Sequence, residues 1–112
     1  MSLQFTHIKG DTFDEVAFQL KINDSVVNLT GATIKMQLRK CYSDTTPALS
    51  LTSVSSAGIT ITNATNGEFK INSQIIDIEV YNYVYDIQIT LASGVVKTYV
   101  QGGFNITNEV TR

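Results

Sequence analysis

Tryptophan is absent from this 112-residue chain, and Cys41 and Pro47 are its only cysteine and its only proline. A lone cysteine excludes an intrachain disulfide and a multi-cysteine metal cluster, so stability falls to the packed core. One proline and seven glycines exclude a collagen-like or linker-like chain. Charged residues make up 16%, against roughly 25% in an average soluble domain. Eight basic against ten acidic residues leave a net charge of -2, which gives no electrostatic footprint for nucleic acid. No run reaches the roughly 18 apolar residues of a membrane span. The basic flank and apolar stretch of a secretory signal are also missing, so the expectation is a soluble, unexported chain with no membrane partner. Met1-Ser2-Leu3 is given no functional weight, because cloning adds short leaders of this kind.

What is present is strand composition. Ile, Val and Thr number 12, 10 and 14, and with ten Phe and Tyr they make up 46 of 112 residues. Apolar residues recur mostly every second position, the period of a strand with one buried face. Val16, Phe18, Leu20 and Ile22 alternate with polar neighbours until Asn23-Asp24-Ser25 turns the chain. Leu29-Thr30-Gly31-Ala32 forms a second bend before Ile34, Met36 and Leu38 resume the alternation. Residues 40–48 lack periodicity and read as an exposed loop with room to cross between sheets. Leu49 and Leu51, then Ile59 and Ile61, mark two short strands. Asn66-Gly67 before Phe69 and Ile71 predicts a tight hairpin with a type I′ turn. The stretch 74–80 fits a single helical turn or a continuing strand, and Ser73 with Asp77 and Glu79 tilts the reading toward a short helix or turn. Tyr83 to Leu91 is the longest alternating run; Ala92-Ser93-Gly94 turns it into Val95 to Val100. Gly102-Gly103 then suggests a bulge or bend before Phe104 and Ile106.

The count is about seven to nine short antiparallel strands at intervals of eight to twelve residues. It predicts an all-β chain folded as one immunoglobulin-like β-sandwich over residues 1–112. The buried Trp and Cys pair of antibody domains is missing, so only the architecture carries over. Tyr83 fits a tyrosine corner, its hydroxyl bonded to upstream backbone, and equally an ordinary half-buried strand tyrosine.

Catalytic chemistry finds little material. His7 is the sole imidazole, lies in the first expected strand and has no Gly-x-Ser-x-Gly elbow to serve, so a structural role is the simpler account. Cys41 would need a depressed thiol pKa and a nearby His7 to act as a nucleophile. Asp14-Glu15 and Asp77 with Glu79 are the carboxylate pairs a glycosidase would use, yet solvated turn carboxylates explain them better. The calcium-loop pattern, the Walker string and the dinucleotide glycine fingerprint are all missing, so no metal, no cofactor and no catalytic residue is expected. Lys35, Arg39 and Lys40 read as a solubilising face. Asn23, Asn28, Asn63 and Asn105 head Asn-x-Ser/Thr triplets, which chance supplies in a chain with 31 Ser, Thr and Asn residues.

Three segments near the C-terminus carry a likeness to a known pattern: Tyr83-Val84-Tyr85-Asp86-Ile87-Gln88-Ile89, Gly94-Val95-Val96-Lys97-Thr98, and Gly102-Gly103-Phe104-Asn105-Ile106 with Val110-Thr111. Val27-Asn28-Leu29-Thr30-Gly31-Ala32 adds an earlier bend. Together they resemble small tail and baseplate proteins of bacteriophages and prophages, in particular the N-terminal domain of the phage upper baseplate protein. Asn82 stands where a glycine often precedes the Tyr-x-Tyr-Asp, and Asn accepts the left-handed conformation such a turn needs. The resemblance implies a non-enzymatic structural module of a virion tail, made in the bacterial host cytoplasm, with other tail or baseplate proteins as partners and no catalytic residues to transfer.

A sandwich offers unpaired edge strands that a partner can extend. The candidate edges are Val95 to Val100 and Phe104 to Val110, with Tyr42, Tyr81 and Tyr99 as possible interface residues in a homo-oligomer or a tail assembly. The competing reading is a carbohydrate-binding or host-surface-binding module in which exposed tyrosines stack on a glycan.

Overall fold

The computed structural model describes residues 3–108. Twelve strand segments follow in chain order: β1 Phe5–Ile8, β2 Thr12–Phe13, β3 Val16–Gln19, β4 Lys21–Ile22, β5 Ser25–Val26, β6 Thr33–Arg39, β7 Leu49–Thr52, β8 Ile59–Asn63, β9 Glu68–Ile71, β10 Gln74–Ile75, β11 Tyr81–Thr90 and β12 Val96–Thr107. Four of them, β2, β4, β5 and β10, are two residues long. The other eight match the number expected from the alternation.

The long strands form two layers. A five-stranded sheet runs β1-β12-β11-β6-β7 and a three-stranded sheet runs β3-β9-β8, with β2–β10 and β4–β5 as short side pairs. In the immunoglobulin scheme β3, β9 and β8 take the places of B, E and D, and β12, β11, β6 and β7 those of G, F, C and the added C′. The fold is therefore an all-β sandwich of the expected kind. One detail differs: β1 runs parallel to β12, with Phe5 opposite Phe104 and Ile8 opposite Thr107, whereas the other ladders are antiparallel. A parallel edge needs a long connection, and here almost the whole chain provides it.

Alternation explains the layers. Ile34, Met36 and Leu38 of β6 and Tyr83, Tyr85, Ile87 and Ile89 of β11 turn inward and are buried. Lys35, Gln37, Asp86 and Gln88 lie on the other face of the same strands. Across from them Ile59, Phe69 and Ile71 of the small sheet complete one hydrophobic cluster. Aromatic rings close its ends: Phe18 stacks on Phe69 at 5.1 Å, and Phe5 lies 5.2 Å from Phe104 and 5.5 Å from Tyr85.

Several local expectations change. Residues 40–48 join β6 to β7 inside one sheet; the crossing to the other layer comes later, through 53–58. The β8–β9 hairpin exists, but its turn is the 3₁₀ segment Ala64–Asn66 followed by Gly67 at φ 70°, and Asn66 is not left-handed. The two adjacent left-handed residues of a type I′ turn are instead Asn23 (φ 52°) and Asp24 (φ 64°), between β4 and β5. The stretch 74–80 forms no helix. Gln74 and Ile75 pair with β2, Gly10 N–H donates to the Ile76 carbonyl, and the Glu79 carbonyl accepts from Tyr83. Backbone groups that an isolated helical turn would have joined are taken by distant partners. Asn82 sits inside β11 opposite Asn105, so no left-handed turn forms there.

Gly102 and Gly103 lie in regular register opposite Tyr85 and Val84. Their role is close approach: a Cβ on Gly102 would collide with the Leu3 carbonyl, and one on Gly103 with the Gln4 amide oxygen, which accepts from Gly103 N–H at 2.9 Å. The bulge sits three residues earlier. Ile87 and Gln88 pair with Val100 and Thr98, leaving Tyr99 as the extra residue.

Candidate functional site

The residues that sequence reading weighed for catalysis are separated in the fold. His7 is buried; its Nε2 donates to the Asp11 carbonyl at 2.9 Å, and its ring packs edge-on against Phe13. Cys41 is exposed in the β6–β7 loop, with its Sγ 3.4 Å from the Ser43 hydroxyl. Asp77 pairs with Lys9 at 2.7 Å, Glu79 with Lys40 at 3.1 Å and Glu15 with Lys70 at 3.2 Å, so each of these carboxylates answers its own lysine. Arg39 donates to the Asp44 carbonyl and to the Gln37 amide oxygen. Among the described residues no three His, Cys, Asp or Glu side chains group as metal ligands, and no helix is long and apolar enough to cross a membrane.

The three tyrosines named as interface candidates fall in different settings. Tyr42 is the most exposed, at 60%. Tyr81 opens β11 and is 43% exposed; its ring lies 5.4 Å from Tyr83, and Lys40 Nζ stands 5.1 Å from its centroid. A shallow depression of about 540 Å³ surrounds it, lined also by Asn82, Thr107 and Asn108. Tyr99 is half-buried, with its ring edge-on to Phe69 and its hydroxyl donating to the Gln19 carbonyl at 3.0 Å. It links the two layers, since Gln19 belongs to β3 of the small sheet.

Beneath Tyr81 the Tyr83 hydroxyl donates to the Glu79 carbonyl at 2.7 Å, four residues upstream, which is the tyrosine-corner arrangement. Burial and then the Glu79 charge raise the Tyr83 phenol above its ordinary value. Lys40 is raised as well, by its hydrogen bond to Glu79 and then by that carboxylate's charge.

The sheet edges settle differently from expectation. Phe104–Ile106 is an interior segment, held by β11 on one side and β1 on the other, and Thr107 pairs with β1; Val110 lies outside the described residues. Val96–Thr98, within the other candidate edge, pairs among the described residues with β11 alone. Beside it runs an apolar groove of about 270 Å³, floored by Leu20, Ile89, Leu91 and Tyr99 and walled by Ile22 and Val27. Val95 and Val96 are about half exposed, as are Ile22 and Val26 of the β4–β5 hairpin.

The bulge at Tyr99 shapes this edge. Uninterrupted alternation from the buried Val100 would send Val96 inward and Lys97 outward. The extra residue reverses the phase, so Lys97 faces Ile89 on the inner side and Val96 faces Thr90 on the outer side. Sequence reading found the edge but missed this inversion, since nothing in the residue pattern marks the bulge. An open strand beside an apolar groove can accept an extended segment through backbone hydrogen bonds and side-chain burial. Comparison of the chain with family models, with curated proteins and with solved structures returned no significant match.

Proposed function

We propose that this chain is a non-enzymatic structural module of a phage or prophage tail or baseplate, working through protein–protein contacts. The observation that carries the contact reading is strand β12, paired over Val96–Thr98 on one side only among the described residues, with the apolar groove beside it. The tail context rests on the resemblance of the segments between Tyr83 and Thr111 and of the earlier bend from Val27 to Ala32. Other tail or baseplate proteins are the partners, or further copies of this chain, and the virion tail is the place of action.

The test is assembly. Light scattering reads the oligomeric state, and virion purification with the tagged chain reads co-purifying tail components; a strict monomer that brings down no tail component overturns the reading. Neighbouring tape-measure and baseplate genes would support it, and turnover in a broad hydrolase screen would replace it with an enzyme.

One observation favours a second reading, a glycan-binding module: exposed Tyr81 sits in a depression lined also by Asn82, Thr107 and Asn108. Glycan-array binding lost on Tyr81→Ala would establish it, and an array without signal would remove it.

A further inference from the structure

We propose that the groove between the open half of β12 and the β4–β5 hairpin docks an extended segment of a partner protein whose apolar residues are flanked by carboxylates. The inference rests on the contact-module reading above and assigns the chemistry of the partner.

Three features converge there. Among the described residues, backbone groups of Val96–Thr98 lie along β11 on one side only, because β1 fills the β12 edge no further than Phe5 opposite Phe104, with Leu3 N–H reaching the Gln101 carbonyl. An incoming strand would continue that lane. The groove beside it is apolar, which suits alternate side chains of such a strand. Its rim carries two lysines, Lys21 and Lys97, and among the described residues neither pairs with a carboxylate. Of the four lysines outside the groove, Lys9, Lys40 and Lys70 each have an acidic partner and Lys35, on the outer face of β6, has none among the described residues.

Charge decides between occupants. A second copy entering the same lane would bring its own Lys97 and Lys21 against these two, and an inward-facing lysine on an edge strand is a known guard against self-pairing. A carboxylate-flanked segment gains where a copy loses, through attraction that also steers its approach.

The experiment titrates the isotopically labelled full chain with the capped peptide Ac-Glu-Val-Thr-Val-Thr-Val-Glu-NH2, followed by NMR, beside versions carrying Gln or Lys at both ends. Shifts are expected at Leu20 to Val27, Leu91 and Val96 to Thr98. The acidic peptide should bind about fivefold tighter than the Gln version at low salt, the sum of two exposed ion pairs, and the advantage should fade with added salt. The double variant Lys21→Glu with Lys97→Glu should reverse the preference toward the Lys-flanked peptide while retaining the dispersed spectrum of the folded chain. Equal affinity for all three peptides overturns the proposal, as does an absence of shifts along β12 at millimolar peptide. Groove shifts that grow with protein concentration alone would show a second copy there instead. If the peptide fails while tail components still co-purify, this proposal falls and the assembly reading stands; if it binds and none co-purifies, the tail assignment falls.

Discussion

The Tyr85 hydroxyl donates a 2.7 Å hydrogen bond to the Leu3 carbonyl, joining residues 82 positions apart. The bond ties the start of the described chain to the centre of the large sheet, beneath the Phe5, Phe13 and Phe104 rings. Tyr85→Phe removes the donor and keeps the ring. The expected cost is about 1–2 kcal/mol, read from the urea midpoint. Faster hydrogen exchange at Phe5 to Ile8 than in β11 would show that the loss is centred on β1.

Burial, with a smaller push from Tyr42, raises the Tyr85 phenol to about 12. An unfolded chain ionises this group near 10.0. The fold therefore favours the neutral phenol, and that contribution is whole below about pH 10 and lost as pH climbs toward 12. Tyr83 is shifted in the same direction. Melting temperatures between pH 8 and 12 should stay level and then fall, with a shallower fall in Tyr85→Phe. An identical alkaline slope in both proteins would rule this cause out.

Gly67 is at φ 70°, and a Cβ there would stand 2.8 Å from the carbonyl oxygens of both Leu20 and Val27. Gly67→Ala combines left-handed strain of roughly 1 kcal/mol with an overpacking cost of about 1–3 kcal/mol. Chemical denaturation should show a loss of about 2 kcal/mol or more.

Gly103→Ala drives a methyl group into the Gln4 amide that accepts from the Gly103 N–H. A destabilisation of about 1–3 kcal/mol is expected. Pairing it with Gln4→Ala in a double-mutant cycle should recover part of the loss, because the obstructing amide is gone.

Ile87 is fully buried at the middle of β11, between Met36 and Val100 on the flanking strands. Ile87→Ala should cost about 2–5 kcal/mol by equilibrium unfolding. A value under 1 kcal/mol would contradict the packing described for this layer.

The layers were legible in the residue pattern because burial follows period two wherever a strand has one wet face, as in Ile34, Met36 and Leu38 or Tyr83 to Ile89. Turn chemistry was harder to read. Asn66-Gly67 carries the stronger type I′ signature, yet Asn63 Oδ1 accepts from the Asn66 N–H and holds a 3₁₀ turn. Asn23-Asp24, with the weaker signature, adopts the type I′ form. Paired glycines at 102–103 looked like a bulge because approach of a remote segment, Leu3–Gln4, leaves no local trace. The open stretch of β12 was half legible: Val95 to Val100 could be named, but the phase inversion at Tyr99 depends on the pairing partner and not on the strand itself.

The parallel docking of β1 on β12 also governs when the molecule can finish folding. Phe5 waits for Phe104, about a hundred residues downstream, and on a ribosome adding about 5–20 residues per second that delay is roughly 5–20 s. For that interval the Phe5 ring and its short strand have no lane to enter. A nascent chain stalled before residue 96 should thus leave its earliest segment open to protease, and release of the last strand should close it.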